Sequence, residues 1–235
     1  MKVIVVLPGY NCERTLRKTY MFIPMQYVDD VIYADDGSFD NSVKVAKSLH
    51  INHIICNSRN IGYGGNQKTL YDKALELEAD VIVMLHPDYQ YDPLLIPKML
   101  YKLKIGADVV FASRMKNGKE AIRLGMPKYK FYANRLLTKI QNRIFNQNLS
   151  EYHTGYRAYK ANVLRDIKYQ SLSNDFIFDN QMVLELIRKK YHITEVYCPA
   201  KYDKESSSIN FYRSIKYGVL VLWYSLVYKI MAIQS

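Results

Sequence analysis

The chain has 235 residues, is 49% hydrophobic and carries a formal net charge of +11, so it has enough apolar residues for one large domain or a domain with an appendage. Its three cysteines, Cys12, Cys56 and Cys198, form no CxxC pair, which argues against a disulfide scaffold and favours reduced thiols in the cytoplasm. The apolar N-terminal run is too short for a signal peptide. The positive charge is compatible with three classes of anionic partner, namely lipid, a nucleotide phosphate or nucleic acid, and net charge alone does not distinguish among them.

Apolar runs alternate with amphipathic stretches along the chain. We predict strands at 2–7, 28–34, 51–56, 81–85, 108–112 and 193–198, with a further short strand within 151–159. We predict helices at 13–22, 41–49, 63–78, 92–104, 128–146, 178–190 and 211–233, and loops at 116–127 and 201–210. This order predicts an α/β fold with a mostly parallel, Rossmann-like sheet flanked by helices. The predicted domain covers 1–210, and 211–235 forms a C-terminal amphipathic helix.

The strand at 81–85 ends in a polar segment. His86, Asp88 and Gln90 stand at alternate positions and would point the same way if the chain stays extended there. Ligands bind at the carboxyl edge of open α/β sheets, so these side chains outline a site for a metal and a phosphate. The alternative is a polar loop that precedes the helix near Pro93, with Asp92 as its N-cap.

Three other predicted strands end in polar clusters, and parallel strands would bring all four to one edge. The clusters are Pro8, Tyr10, Asn11 and Glu13; Asp35 to Ser38; and Ser113 with Arg114. Asp35 and Asp36 are candidates to hold the ribose and base of a nucleotide, although a helix-capping turn explains them equally well. The glycines at 62, 64 and 65 follow the third strand without GxGxxG spacing, which argues against a dehydrogenase and favours a tight turn into a packed helix.

Together the clusters resemble family 2 glycosyltransferases of the GT-A fold, in the branch of dolichyl- and undecaprenyl-phosphate sugar transferases. Residues 8–11 resemble that family's Pro-x-Tyr-Asn-Glu, with Cys12 at the usual glutamate position and Glu13 one residue later. The other matching segments are 35–38 (Asp-Asp-Gly-Ser), 60–64 (Asn-x-Gly-x-Gly), 86–93 (Asp-x-Asp-x-Gln-x-Asp-Pro), 113–114 (Gly-Ser-Arg) and 154–157 (Ser-Gly-Phe-Arg). The resemblance covers about residues 2–210 in consistent order.

The resemblance implies a UDP- or GDP-sugar donor held by Pro8, Tyr10, Asn11, Glu13, Asp35, Asp36, Gly62 and Arg114. It also implies Mg²⁺ or Mn²⁺ on Asp88, with Gln90. This chain departs from the pattern because His86 replaces the first aspartate of the metal motif. Either His86 binds a softer ion, since Mg²⁺ prefers oxygen ligands, or it hydrogen-bonds a phosphate. We favour the second interpretation.

A second departure concerns the acceptor. Gln181 stands where such enzymes often carry a carboxylate. A sugar hydroxyl needs a general base, whereas a lipid phosphate has a second pKa of about 6 and is already largely anionic. The resemblance therefore implies an inverting transfer to a polyprenyl phosphate, with Arg157 on a phosphate. Asp179 is the candidate base if the acceptor is instead a saccharide hydroxyl.

The segment 211–233 combines apolar residues with tyrosines, Trp223 and a few basic residues, which is typical of a helix lying at the membrane surface. The protein is accordingly expected on the cytoplasmic face of a membrane. Packing on the core or in the seam of a homo-oligomer is the alternative. Two further functions stay open, a nucleotide-binding protein without transferase activity and a nucleic-acid binder, but no recognised nucleic-acid motif supports the latter.

Overall fold

A computed structural model describes residues 1–199, 202 and 211–234, and within them seven strands form a single sheet. The strands are β1 (Val3–Gly9), β2 (Asp30–Asp35), β3 (His53–Cys56), β4 (Val81–Met84), β5 (Val109–Ser113), β6 (Arg157–Lys160) and β7 (Ile193–Tyr197). The helices are α1 (Leu16–Met21), α2 (Ser42–Ser48), α3 (Tyr63–Glu76), α4 (Ile96–Lys104), α5 (Glu120–Arg123), α6 (Lys128–Phe145), α7 (Ala161–Asp166), α8 (Phe178–Arg188) and α9 (Phe211–Gln234).

The sheet has the order β3-β2-β1-β4-β6-β5-β7, and every pair is parallel except those of β6, which runs antiparallel to β4 and β5. This confirms the predicted α/β fold with its mostly parallel sheet. The carboxyl ends of β1, β2, β4 and β5 therefore meet at one edge, and β6 enters the sheet from that same edge. The polar clusters that follow these strands, and the segment that precedes β6, are consequently brought together.

The core lies on both faces of the sheet, because the central strands are apolar at every position rather than at every second one. Along β1, Val3, Val5 and Leu7 face one core layer, while Ile4 and Val6 face the other. Helices α1, α2 and α4 contribute to the first layer, and α3, α7 and α8 to the second. A sheet buried in this way holds its edge rigidly, so the loops there start from fixed positions.

The element bounds differ from the predictions in a few places. The first helix begins at Leu16 rather than at residue 13, and the segment predicted as a loop at 116–127 contains the single-turn helix α5. One turn is too short to produce a detectable hydrophobic period, which explains why the sequence pattern did not predict it. The predicted N-cap is confirmed, since Asp92 accepts a hydrogen bond from the main-chain N–H of Leu94. The predicted loop at 201–210 lies outside the described residues, apart from Tyr202.

Helix α9 packs against α6 and α8 with one side and leaves the other side exposed. Ser225 is fully buried on the packed side, where its hydroxyl accepts a hydrogen bond of 3.0 Å from Nε2 of Gln141 in α6. Gln141 is also bonded to Asn180 of α8, so one buried polar contact joins the three helices. Among the described residues, no helix is long and apolar enough to cross a membrane.

Candidate active site

Two adjoining pockets lie at the carboxyl edge of the sheet. The first, which we call the β1–β2 pocket, is lined by the polar turns after β1 and β2, by the start of α3 and by α9. The second, the α6 pocket, lies between the end of β5, the segment before β6, α6 and α9. The residues that line both are Tyr63, His86, Asp88, Phe176, Arg213 and Tyr217. The two pockets therefore meet at the polar segment that follows β4.

The turns after β1 and β2 are tied to each other. Asn11, which has a positive φ of 51°, accepts a hydrogen bond from the main-chain N–H of Phe39 through its Oδ1, and its own N–H donates to Ser38. Pro8, Tyr10 and Asn11 all line the β1–β2 pocket. Three of the residues predicted to hold a nucleotide are thus placed together.

Asp36 shapes the opposite wall of this pocket. Its Oδ1 accepts a hydrogen bond of 2.8 Å from the main-chain N–H of Ile61, and its Oδ2 one of 3.1 Å from that of Gly62. Gly62 has a φ of 92°, and a Cβ there would lie 2.5 Å from the carbonyl oxygen of Asn174, so only glycine fits. Gly62 therefore makes the tight turn into α3 that the sequence predicted, whereas Gly64 and Gly65 lie within the helix itself. Both Asp36 and Gly62 line the pocket.

Three residues predicted to hold the nucleotide sugar do not line this pocket. Arg114 lines the α6 pocket instead, and Asp35 and Glu13 line neither. Asp35 is buried, and its carboxylate accepts hydrogen bonds from the hydroxyls of Tyr33 and Ser38 and from the main-chain N–H of Ser38. The Oε2 of Glu13 accepts hydrogen bonds from the main-chain N–H and side-chain amide of Asn41. Neither is among the residues lining the β1–β2 pocket, because each carboxylate is used to close a turn.

The segment after β4 turns instead of continuing in an extended conformation. The main-chain N–H of Gln90 donates a 3.0 Å hydrogen bond to Oδ1 of Asp88, and Tyr89 between them has a φ of 55°. An aspartate that bonds to the backbone two residues later is a common turn former. The prediction that His86, Asp88 and Gln90 point the same way required an extended chain, and this premise is wrong. Asp88 and His86 line both pockets, whereas Gln90 is nearly buried and lines only the α6 pocket.

His86 belongs to a partly buried series of hydrogen-bonded side chains that the sequence did not indicate. The hydroxyl of Tyr63 donates a 2.5 Å hydrogen bond to Oδ2 of Asp179 and lies 2.9 Å from Nε2 of His86. The rings of Tyr63 and His86 stack with their centroids 5.3 Å apart. Burial lowers the pKa of His86 and, with the nearby carboxylate, raises that of Tyr63, so both side chains are neutral at pH 7.

Arg157 does not reach either pocket, which corrects the prediction that it contacts a phosphate directly. Its side chain is fully buried, and its guanidinium donates hydrogen bonds to the carbonyl oxygens of Tyr152, Thr154 and Asp179. It also lies 3.8 Å from Oδ1 of Asp179. With its donors directed at the backbone, Arg157 fixes the segment before β6 and the start of α8.

Arg114 lies in the wall of the α6 pocket and is paired with Glu151, whose side chain is fully buried. The carboxylate of Glu151 accepts hydrogen bonds from the main-chain N–H, Nε and Nη2 of Arg114 and from the amide of Asn134. Burial opposes the charge of Glu151, but the guanidinium and these hydrogen bonds outweigh it and lower its pKa. Arg114 also donates to the hydroxyl of Tyr202 and the carbonyl of His153, so Arg114 and Glu151 together join four segments of the wall.

Helix α9 contributes directly to this wall. The hydroxyl of Tyr217 lies 2.9 Å from Nδ1 of His153, and the two rings meet edge to face at 5.5 Å. Arg213 lines both pockets, and Lys130 of α6 lines the α6 pocket. The α6 pocket is therefore bordered by three basic side chains and several aromatic rings, a combination suited to an anionic ligand with an apolar part.

A divalent cation at the junction of the pockets would need coordinating atoms from a bound substrate in addition to those of the protein. The described residues contain no group of three or more His, Cys, Asp or Glu side chains that could hold a metal ion. Asp88 and His86 are the two such donors at the junction, with the amide of Gln90 nearby. Cations of this kind are often held by one or two protein groups, with water and substrate phosphates completing the coordination shell.

The fold and the pockets define a class of protein. A mostly parallel α/β sheet with a pocket of acidic and amide groups at its carboxyl edge, beside a basic and aromatic pocket, is the architecture of α/β proteins that bind phosphorylated ligands there. Comparison with known proteins agrees. The family model of Glycosyl transferase family 2 matches residues 4–168, which is more than half of the chain. The chain belongs to this family and is a glycosyltransferase.

Several relatives share most of their length with this chain. An uncharacterised protein of Methanocaldococcus jannaschii is 30% identical over 88% of this chain and 91% of its own length. The UDP-N-acetylglucosamine–dolichyl-phosphate N-acetylglucosaminyltransferase of Methanococcus voltae is 26% identical over 83% of each chain. The undecaprenyl-phosphate mannosyltransferase of Micrococcus luteus is 26% identical over 83% of this chain and 82% of its own.

Solved structures share the fold at lower sequence identity. Glucosyl-3-phosphoglycerate synthase of Mycobacterium tuberculosis in complex with UDP has a TM-score of 0.73 at 15% identity, covering 97% of this chain and 80% of that one. The same synthase with Mn²⁺ and UDP-glucose has a TM-score of 0.70 at 17% identity, covering 97% and 78%. These likenesses confirm the GT-A fold predicted from the sequence.

Proposed function

We propose that this protein transfers a sugar from a nucleoside-diphosphate sugar to a polyprenyl phosphate at a membrane surface, with inversion at the anomeric carbon. The observation that carries the proposal is the pair of pockets that meet at His86 and Asp88. One pocket offers the donor-side groups that the family resemblance implies, and the other is basic and aromatic. The names of the Methanococcus voltae and Micrococcus luteus relatives support the same chemistry.

The β1–β2 pocket holds the nucleotide in this proposal. Asn11 and the loop fixed by Asp36 present polar groups to the nucleoside, and its diphosphate extends to Asp88 at the junction. Asp88, with His86 beside it, would hold a divalent cation at this junction, and the cation would supply a Lewis acid that neutralises charge on the departing nucleoside diphosphate. The protein contributes the position of these two side chains, which the turn at 87–90 and the stacking on Tyr63 hold in place.

The acceptor phosphate occupies the α6 pocket. Lys130 and Arg213 line this pocket and attract an anion, with Arg114 held beside them by Glu151, while the aromatic residues of the pocket accommodate the apolar part of the acceptor. The phosphate oxygen attacks the anomeric carbon from the side opposite the leaving group. Because a phosphate monoester is already largely anionic at pH 7, this attack needs no general base.

The surroundings of Asp179 favour this acceptor over a saccharide hydroxyl. Oδ2 accepts the hydroxyl of Tyr63, and Oδ1 accepts the amide of Gln67 at 3.3 Å while lying 3.8 Å from Arg157. A general base needs a free lone pair within hydrogen-bond reach of the attacking hydroxyl. Both oxygens of this carboxylate already serve other donors, so Asp179 is poorly placed to act as that base.

The exposed side of α9 and the adjoining part of α6 form the surface that we assign to the membrane. Large apolar residues are exposed there beside the basic residues Lys216 and Lys229, a combination that favours anionic lipid headgroups. The exposed apolar residues include Tyr132 and Leu136 of α6 and Ile215, Val219, Trp223, Leu226 and Ile230 of α9. The same two helices border the α6 pocket, so a lipid acceptor would enter it from the membrane.

The test of the activity is a transfer assay with the full chain in detergent, using radiolabelled UDP- and GDP-sugars with Mg²⁺ or Mn²⁺. Undecaprenyl phosphate and free oligosaccharides are offered in parallel. We expect labelled lipid that partitions into organic solvent, and a loss of at least 100-fold in Asp88→Asn. Transfer to oligosaccharides alone would contradict the proposed acceptor, and full activity of the variant would contradict the proposed site.

The membrane assignment is tested by sedimentation with vesicles that contain anionic phospholipid. Replacing both Trp223 and Leu226 with serine removes two exposed apolar side chains, each worth about 1.5–3 kcal/mol when buried. We expect vesicle affinity to fall at least about tenfold. Phe39→Ser is the matched control, because Phe39 is 91% exposed but lies after β2, outside α6 and α9. An equal loss in the control would contradict the assignment.

A further inference from the structure

The hydrogen bonds that link Asp179, Tyr63 and His86 determine which nitrogen of His86 carries a proton. A tyrosine hydroxyl has one proton to donate, and a carboxylate can only accept. Since Tyr63 donates to Oδ2 of Asp179 at 2.5 Å, it accepts from the imidazole, and Nε2 of His86 is the protonated nitrogen at 2.9 Å. In the neutral ring, Nδ1 then keeps its lone pair.

The packing around these side chains holds this arrangement in place. Asp179 is itself fixed by the amide of Gln67, and Tyr63 also packs on the ring of Phe176 with centroids 4.9 Å apart. Gly155 lies against the pair, where an added Cβ would come within 2.4 Å of Nε2 of His86 and 3.0 Å of the Tyr63 hydroxyl. The absence of a side chain at Gly155 thus makes room for the hydrogen bond between the two rings.

The proton position decides between the two roles of His86 that the sequence left open. An unprotonated Nδ1 cannot donate a hydrogen bond to a phosphate oxygen, which was the role favoured from the sequence. It can bind a cation, and a cation beside the ring also disfavours the doubly protonated form. Metal-binding histidines commonly donate their other N–H to a carboxylate or another acceptor, which fixes the ring and makes the ligating nitrogen more basic.

We propose that His86 binds the divalent cation through Nδ1, and that Tyr63 and Asp179 are positioning residues that orient it for this purpose. The inference rests on the metal-dependent transfer proposed above and names the specificity of that site. With one imidazole among its ligands, the site binds Mn²⁺ and Co²⁺ in preference to Mg²⁺, which selects oxygen ligands. Asp179 accordingly acts through Tyr63 and not as a base.

The direct test is pulsed electron paramagnetic resonance of Mn²⁺ bound to the full chain together with UDP. We expect the modulation of a directly bound ¹⁴N nucleus, which changes to that of ¹⁵N when the histidines alone are labelled, so that uracil nitrogens are excluded. His86→Asp is the matched variant, because it keeps an oxygen donor and should bind Mn²⁺ without the nitrogen signal. Bound Mn²⁺ without nitrogen modulation in the unaltered protein would overturn the inference.

The positioning role is tested by Tyr63→Phe, which removes one hydroxyl and keeps the ring that stacks on His86. Loss of such an outer partner typically weakens metal binding about 10–100-fold, so calorimetry in the presence of UDP should show at least a tenfold higher Kd for Mn²⁺. If Tyr63 had only a structural role, Tyr63→Phe would weaken Mn²⁺ binding whether residue 86 is histidine or aspartate. We therefore expect Tyr63→Phe to have no further effect when His86 is already aspartate, and an equal loss in both backgrounds would refute the positioning role.

The two proposals fail in different ways. Without metal-dependent binding of any sugar nucleotide, the proposed function itself fails. If sugar is transferred and Mn²⁺ binds with UDP, but the spectrum lacks the histidine nitrogen or Mg²⁺ binds more tightly than Mn²⁺, only the role of His86 fails. Replacing His86 with aspartate should also shift the preference toward Mg²⁺, and an unchanged preference counts against the inference.

Discussion

Replacing Glu151 with glutamine should destabilise the protein far more than its position in a loop implies. The carboxylate is fully buried and serves three donors of Arg114 and the amide of Asn134, while the side chain of Arg114 is only 12% exposed. Glutamine has the same shape but turns an acceptor oxygen into a donor that faces the guanidinium. Removing one partner of a buried pair in this way costs about 3–5 kcal/mol.

The effect can be measured by thermal denaturation of the full chain. For a protein of this size, each kcal/mol corresponds to about 2–4 °C, so we expect the Tm to fall by at least about 6 °C. Glu76→Gln is the control, because it removes the partner of Lys73 in a solvent-exposed pair, which is worth less than about 1 kcal/mol. If the Tm of the Glu151 variant equals that of the control, Arg114 is not held by this carboxylate.

Three other substitutions test separate parts of the structure. Asp36→Asn turns one of the two acceptor oxygens into a donor that faces a main-chain N–H, and should cost about 1–3 kcal/mol in urea denaturation while weakening UDP binding in calorimetry. Gly64→Ala brings a Cβ within 2.5 Å of the Ser173 carbonyl and should cost about 1–3 kcal/mol, whereas Gly218→Ala in α9, with 3.8 Å of space, should not destabilise the protein. Burial lowers the pKa of His153 to about 4 from its usual 6.5, so stability falls as the pH drops from 6.5 toward 4. Urea denaturation should show this loss reduced by about 2 kcal/mol at pH 4.5 in His153→Gln, and an unchanged pH profile would contradict the assignment.

The sequence predicted the parts of the site that depend on strand direction. Parallel strands end at the same edge, so Pro8, Asp36 and Asp88 could be placed together from the apolar runs that precede them. Arg114 follows its strand in the same way and could be placed at this edge too, although the resemblance assigned it to the nucleotide sugar and the structure places it in the α6 pocket. Local pattern was sufficient here because each residue follows its strand within a few positions, and a buried sheet leaves those positions little freedom.

The sequence could not predict contacts between residues that are far apart in the chain. Tyr63 and Asp179 are separated by 116 positions, and no local pattern marks either as a partner of His86. The burial of Arg157 was missed for the same reason, since its acceptors are main-chain carbonyls that any residue type supplies. The turn at Asp88 was missed because the polar run was read as extended, while the aspartate bonds to its own backbone.

The position of α9 has a practical consequence for anyone preparing this protein. Removing an apolar C-terminal helix is a common way to improve the behaviour of such an enzyme in aqueous buffer. In this protein the truncation would remove Arg213 and Tyr217, which line both pockets. It would also remove the Ser225 hydroxyl that accepts a hydrogen bond from Gln141. A shortened protein would therefore have a gap where the two pockets meet, and loss of activity on truncation would say nothing about lipid binding.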